Sequence, residues 1–151
     1  MRRNLYLFGL CLAPLVLVAC TPQQGSFTGS GESSELENVQ WSLVELEGAP
    51  IAAARGTPTL SLSSKDQRAS GFAGCNRFSG GYELSASLLR MKALAATRMA
   101  CPDMSVEAAV MKALEETASW KIDGRKLELF DTTGKRRSRW TVTSLESGAA
   151  P

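Results

Sequence analysis

Ser119-Trp-Lys-Ile-Asp-Gly-Arg-Lys-Leu-Glu-Leu-Phe130 is the stretch from which the fold is read. Asp123-Gly124 lies between two alternating runs, and it is the dipeptide favoured in a tight type I′ hairpin turn, where both central positions need positive φ. Trp120 and Ile122 on the first run, with Leu127 and Leu129 on the second, supply one buried face. Asp131-Thr-Thr-Gly134 then turns into residues 136–143, where Trp140 and Val142 alternate with Arg139, Thr141 and Thr143. The three runs predict an antiparallel meander.

Upstream the pattern is also strand-like. Gln40-Trp-Ser-Leu-Val-Glu-Leu46 is rich in β-forming residues, and in Thr57-Pro-Thr-Leu-Ser-Leu-Ser63 the residues Leu60 and Leu62 alternate with small polar ones. Between Cys101 and Ser119 one helix is expected. Pro102-Asp103 suits its start, and Val106, Val110, Ala113, Leu114 and Thr117 form an apolar stripe at helical spacing. Asp103 and Glu107 sit one turn apart near that start, where the helix dipole favours acids, and are read in that way rather than as a catalytic pair. Residues 86–100 follow neither period well, so periodicity leaves strand and short helix both open.

The first twenty residues carry an address. Arg2 and Arg3 precede an uncharged apolar run from Leu5 to Val18, which is too short to span a bilayer comfortably and is interrupted by Pro14. Residues 1–19 therefore read as a signal peptide. Leu17-Val18-Ala19-Cys20 resembles the bacterial lipobox, which implies cleavage before Cys20 and lipidation of its thiol. Two or more acyl chains hold a protein at a membrane where one lets it leave. Thr21, in place of the Asp associated with inner-membrane retention, points to the outer membrane, with the protein facing the periplasm. Residues 20–38, rich in Gly, Ser and acids, are expected to form a flexible tether with a reach of about 25 Å. Residues 39–145 are then the domain, and 146–151 a disordered tail.

Composition narrows the chemistry. The chain has 151 residues with 44% hydrophobic and 21% charged side chains, the profile of one globular domain rather than a disordered chain. It contains no histidine, which excludes Ser-His-Asp and Cys-His catalysis and most transition-metal sites. Loss of residues 1–19 takes Lys and Arg from 17 to 15 against 15 Asp and Glu, so the mature chain is neutral and gives no argument for nucleic acid. Cys75 and Cys101 remain as an even pair in an oxidising compartment. They read as one disulfide closing a loop of about 25 residues, with a stabilisation of roughly 3–4 kcal/mol. Zinc would want four ligands, and the spacing is not Cys-x-x-Cys, so a metal or redox pair is the weaker reading.

Ser70-Gly-Phe-Ala-Gly-Cys-Asn-Arg-Phe-Ser-Gly-Gly-Tyr82 carries four glycines, yet matches neither the P-loop nor the dinucleotide spacing. The segment resembles the META domain of the HslJ-like heat-shock lipoprotein family. The resemblance rests on Gly71-x-x-Gly74-Cys75-Asn76-x-Phe78-x-Gly80-x-Tyr82 and on Ala96-Thr97-x-Met99-Ala100-Cys101. It also rests on Glu107 in the following helix, Leu127-x-Leu129 before Gly134, and Trp41-x-Leu43 at the opening, and covers about residues 38–145. It implies an α+β fold, a strongly curved, roll-like antiparallel sheet of about seven or eight strands with one packed helix. It also implies that Cys75 and Cys101 pair, and that 86–100 is largely strand. Ala109 and Val110 depart from it, standing where relatives often place bulky aromatics.

The resemblance implies a non-enzymatic envelope protein linked to stress or antibiotic tolerance, with no cofactor. The alternative is a pilot-like or carrier module that holds an apolar ligand or a secretin-type partner in a groove beside the helix, at positions such as Val110. A hydrolase is disfavoured, because Gly-x-Ser-x-Gly, Ser-x-x-Lys and histidine are all missing. Lys135-Arg-Arg-Ser-Arg-Trp140 reads as a charged, solvated edge strand with Lys135, Arg137 and Arg139 on one face and Arg136 on the other. Contact with lipopolysaccharide phosphates or anionic headgroups is the alternative for that run.

Overall fold

The structure, a computed structural model, describes residues 35–51 and 56–145. The expected signal peptide, Cys20, nearly all of the tether and the 146–151 tail lie outside the described residues. The strands are β1 (Val39–Leu46), β2 (Ala49–Pro50), β3 (Thr59–Ser63), β4 (Arg68–Phe72), β5 (Arg77–Ser85) and β6 (Leu88–Ala96). One helix, α1 (Ser105–Glu115), precedes β7 (Ser119–Asp123), β8 (Lys126–Phe130) and β9 (Arg136–Leu145). Every pairing is antiparallel. The order β1-β3-β4-β5-β6-β7-β8-β9 returns to β1 through a long β1–β9 ladder, so the sheet closes on itself. The expected α+β architecture is present, with closure carrying the curvature to a barrel.

Alternation explains what fills it. Trp41, Leu43, Leu60, Leu62, Phe78, Leu89, Leu127, Leu129 and Trp140 all point inward and are buried. The three indole N–H groups are satisfied: Trp41 donates to the Leu36 carbonyl at 3.0 Å, Trp120 to the Ala86 carbonyl at 3.1 Å and Trp140 to Ser138 Oγ at 2.8 Å. Leu36 is itself fully buried, so the packed part of the chain reaches back ahead of β1.

The ring has one weak seam. β6 and β7 meet in register only at Leu88 and Ser119, supported by Leu89 N–H to the Ala118 carbonyl and Trp120 N–H to the Ser87 carbonyl. Helix α1 lies between these two strands in the chain. It packs on β6 and on β1, which stand opposite each other in the ring, so it crosses the barrel. Val110, Ala113 and Leu114 are buried, and small side chains at this stripe let the helix approach closely.

Several local expectations change. The hairpin loop is Gly124-Arg125, because Asp123 pairs with Lys126, and of the two only Gly124 takes positive φ. That places glycine at the first central position, as in a type II′ turn. Residues 88–96 are strand, as the family pattern implied, and 97–100 are not. Asp103 does not cap α1 in the usual way. The residue before the helix is Met104, and Asp103 Oδ1 instead accepts from Ser105 N–H at 2.8 Å.

The basic run is the largest correction. β9 is not an edge, since it is paired on both sides by β8 and β1. A bulge at its start aligns Phe130 with Arg136 and Leu129 with Ser138, leaving Arg137 as the extra residue. Arg136 and Arg139 consequently share partners, both bonding Glu45 and Glu128, while the Arg137 side chain turns in and is only 12% exposed.

Candidate functional site

The three motif segments converge on Asn76. Glu107 Oε2 accepts from the Asn76 backbone N–H at 2.7 Å, and its Oε1 accepts from Asn76 Nδ2 at 3.2 Å. On the other side, Asn76 Oδ1 accepts from Thr97 Oγ1 at 2.9 Å and from Met99 N–H at 2.7 Å, while Nδ2 also reaches the Met99 carbonyl at 3.3 Å. One amide thus ties the β4–β5 turn, the segment after β6 and the helix. Asn76 and Glu107 are both buried. A buried carboxylate is tolerated only when donors satisfy it, and here Asn76 supplies two.

The Cys75–Cys101 disulfide lies beside this amide, with a Cα–Cα distance of 6.4 Å. It staples the same two segments that Asn76 joins by hydrogen bonds. Two glycines of the motif are there for backbone reasons. Gly74 has φ of 111°, and a Cβ on Gly71 would stand 1.9 Å from the Thr59 carbonyl oxygen on the adjacent strand. The glycine-rich segment is therefore a packing device, with no outward cradle of amides required to explain it.

Asp103 and Glu107 are not brought together. Asp103 is exposed, and its carboxyl is held below the usual range by bonds from Ser105, whereas Glu107 faces Asn76. The helix-dipole reading of Glu107 is thereby superseded by a specific buried partner. Val110 is fully buried. The cavity of about 520 Å³ near the end of the helix is polar, bounded by Arg90, Glu115, Glu116, Asp131 and Arg137. Large apolar side chains are exposed at Val44 and Leu88 and, near the disulfide, at Met99 and Met104, which are 57% and 39% exposed. With Leu94 and Ala96 the two methionines border a cavity of about 570 Å³.

Arg137 organises the opposite side of the helix. Its guanidinium bonds Glu47 at 2.8 Å and also Glu116, with Asp131 at 3.9 Å, while its buried Nε has no partner among the described residues. Asp131 Oδ1 accepts from the Thr133 hydroxyl and from the N–H groups of Thr133 and Lys135, which, with Arg137 nearby, hold its carboxyl below the ordinary range. Sequence reasoning missed both Asn76 and Arg137 as organising residues. Asn76 stood in a quoted motif without a role, and Arg137 was hidden by the bulge. Among the described residues, no three His, Cys, Asp or Glu side chains gather as a metal site.

Comparison with known proteins agrees with this geometry. A family model for the META domain matches residues 34–145. Three solved structures are similar to the chain. One, known as an NMR structure, is 27% identical with a TM-score of 0.58, covering 72% of this chain and 92% of the other. A second NMR structure, of a protein from Burkholderia xenovorans, is 24% identical with a TM-score of 0.61 and covers 93% and 99%. A crystal structure of a duf4847 family protein from Bacteroides vulgatus is 14% identical, with a TM-score of 0.55 and coverage of 74% and 96%. The last two similarities bear on the fold alone. No curated protein matches the sequence.

Proposed function

The chain belongs to the META domain family, and from that premise we propose that it is a non-enzymatic outer-membrane lipoprotein, anchored through Cys20, that supports stress or antibiotic tolerance by binding. The observation that carries the reading is the Asn76 clip. The polar side chains of the family motif spend their hydrogen bonds on one another inside the fold, so they serve architecture rather than attack on a substrate. The large apolar side chain that the motif leaves exposed is Met99, and Met104, ahead of the helix, is exposed as well.

The test is complementation of a deletion strain under heat or antibiotic stress. The unaltered protein restores tolerance, incorporates labelled palmitate and fractionates with outer membrane. Cys20→Ala loses all three, while Asp103→Asn retains them. A folded, tethered polar variant that loses all function would overturn the binding reading.

A second reading, a pilot-like or carrier module for an apolar ligand or a secretin-type partner, is favoured by the two exposed methionines beside a cavity. An apolar side chain in water gains when a partner covers it. Met99→Glu should keep the melt of the parent protein and lose cross-linked partners in intact cells. Unchanged cross-links would reject this reading.

A further inference from the structure

The outer face of β3, β4 and β5 carries a polar concavity that none of the chemistry above uses. Ser61, Ser70 and Ser79 stand opposite one another in register across the three strands. They alternate with the buried Leu60, Leu62, Ala69 and Phe78, which places the hydroxyls outside the barrel. Arg77 lies in the neighbouring row on one side, through Phe72, and Arg68 in the row on the other side. With Thr59 and Thr97 at its rim, the concavity has a volume of about 570 Å³, and no carboxylate among the described residues lines it.

Charge and pairing decide what fits. Arg136, Arg137 and Arg139 each bond at least two carboxylates. Arg68, by contrast, donates to Ser79 Oγ at 3.2 Å, and the Arg77 guanidinium has no acid partner among the described residues. The hydroxyls of Ser61 and Ser70 have no protein partner among the described residues either. Arg77 lines this concave surface, with Arg68 reaching its edge at Ser79 and no acid among the described lining residues, so it attracts an anion; a guanidinium suits phosphate because its fork matches two oxygens. Serine hydroxyls both donate and accept, as sugar hydroxyls do, and neighbouring strands space them about 4.8 Å apart. A free phosphate would leave the serine row unused, and a neutral sugar would leave Arg77 unused.

We propose that this face binds a phosphorylated sugar, with Arg77 on the phosphate and Ser61, Ser70 and Ser79 on the sugar hydroxyls. The site adjoins the methionine cavity at Ala95, Ala96 and Thr97, and it does not depend on the lipid anchor.

The test is an amide NMR titration of the full chain in nonionic detergent with glucosamine 1-phosphate. Signals of Ser61, Ser70, Arg77 and Ser79 should shift and saturate, with glucosamine alone and inorganic phosphate alone binding about tenfold more weakly or worse. Arg77→Gln should weaken binding by about tenfold with an unchanged thermal melt. Ser70→Leu, which fills the row from an exposed position, should do the same. Equal binding of inorganic phosphate, equal binding of a glutamate-rich peptide, shifts that map elsewhere, or no saturable shift would each overturn the proposal.

Discussion

Glu107 and Asn76 are 31 residues apart, yet both oxygens of the Glu107 carboxylate are occupied by Asn76, one by its backbone N–H at 2.7 Å and one by its side-chain amide at 3.2 Å. This pair locks the helix that crosses the barrel to the turn between β4 and β5. Glu107→Ala leaves the buried Asn76 backbone N–H without an acceptor and removes one acceptor from Asn76 Nδ2, which keeps the Met99 carbonyl, and should cost about 2–3 kcal/mol. Glu107→Gln turns an amide towards one of those donors and should cost less, about 1–2 kcal/mol. Urea unfolding of both variants checks the order; equal stability of Glu107→Ala and the parent would refute the pairing.

The disulfide joins the segments that the clip also joins. Thiol titration of the unreduced protein should find Cys75 and Cys101 blocked, and the Cys75→Ser/Cys101→Ser double variant should lose about 2–5 kcal/mol. Because the Asn76 bonds survive in that variant, the far-ultraviolet circular dichroism spectrum should be retained below the lowered melting temperature.

Arg137 and Arg139 are two residues apart and should differ sharply in consequence. Removing the inward Arg137 leaves Glu47, Glu116 and Asp131 without their common cation, so Arg137→Met should cost about 3 kcal/mol or more. Arg139→Met, on the more open outer face, should cost about 1 kcal/mol or less. Comparable losses in the two variants would contradict the bulge that separates them.

Tyr82 sets an alkaline limit. Its hydroxyl lies against the Glu37 carboxylate and the Ser63 carbonyl, and burial first, then the hydrogen bond and charge of Glu37, push its pKa up. The folded state therefore favours the protonated phenol. Its contribution is complete below the ordinary tyrosine range near pH 10 and is lost as pH rises through the higher folded-state value. With Tyr6 lost with residues 1–19, as proposed, absorbance titration of the mature chain should show a single tyrosine ionising well above the ordinary range, and Tyr82→Phe should remove that step.

Much of the fold was legible because its signals are local. Leu60 and Leu62, Trp120 and Ile122, Leu127 and Leu129, and Trp140 and Val142 carry a period of two, and each pair sits on a strand with its side chains turned towards the core. The helix stripe through Val110 and Leu114 was equally readable, since a 3.6-residue period needs no knowledge of the partner. Asp103, which suits a helix start by residue type, falls one residue short of the cap position because Asp-Met-Ser forms a turn bond there instead.

What tertiary structure decided depends on distance and on parity. Closure of the sheet pairs Val39–Leu46 with residues about a hundred positions later, and no local pattern announces that the first and last long strands meet. The Asn76–Glu107 bonds likewise need three segments in place before their value exists. Arg137 shows the parity problem most plainly. Alternation put it beside Arg139, but one extra residue in β9 reverses inward and outward at Arg136 and Arg137, because a strand's side-chain period is two and a single insertion exchanges its faces. The sequence alone determined the strands with clean alternation, the helix and the cysteine pair, whose causes lie in short-range periodicity and composition; β4 and β5, the closed ring, the buried amide clip and the inward arginine were decided only when distant strands set one another's register.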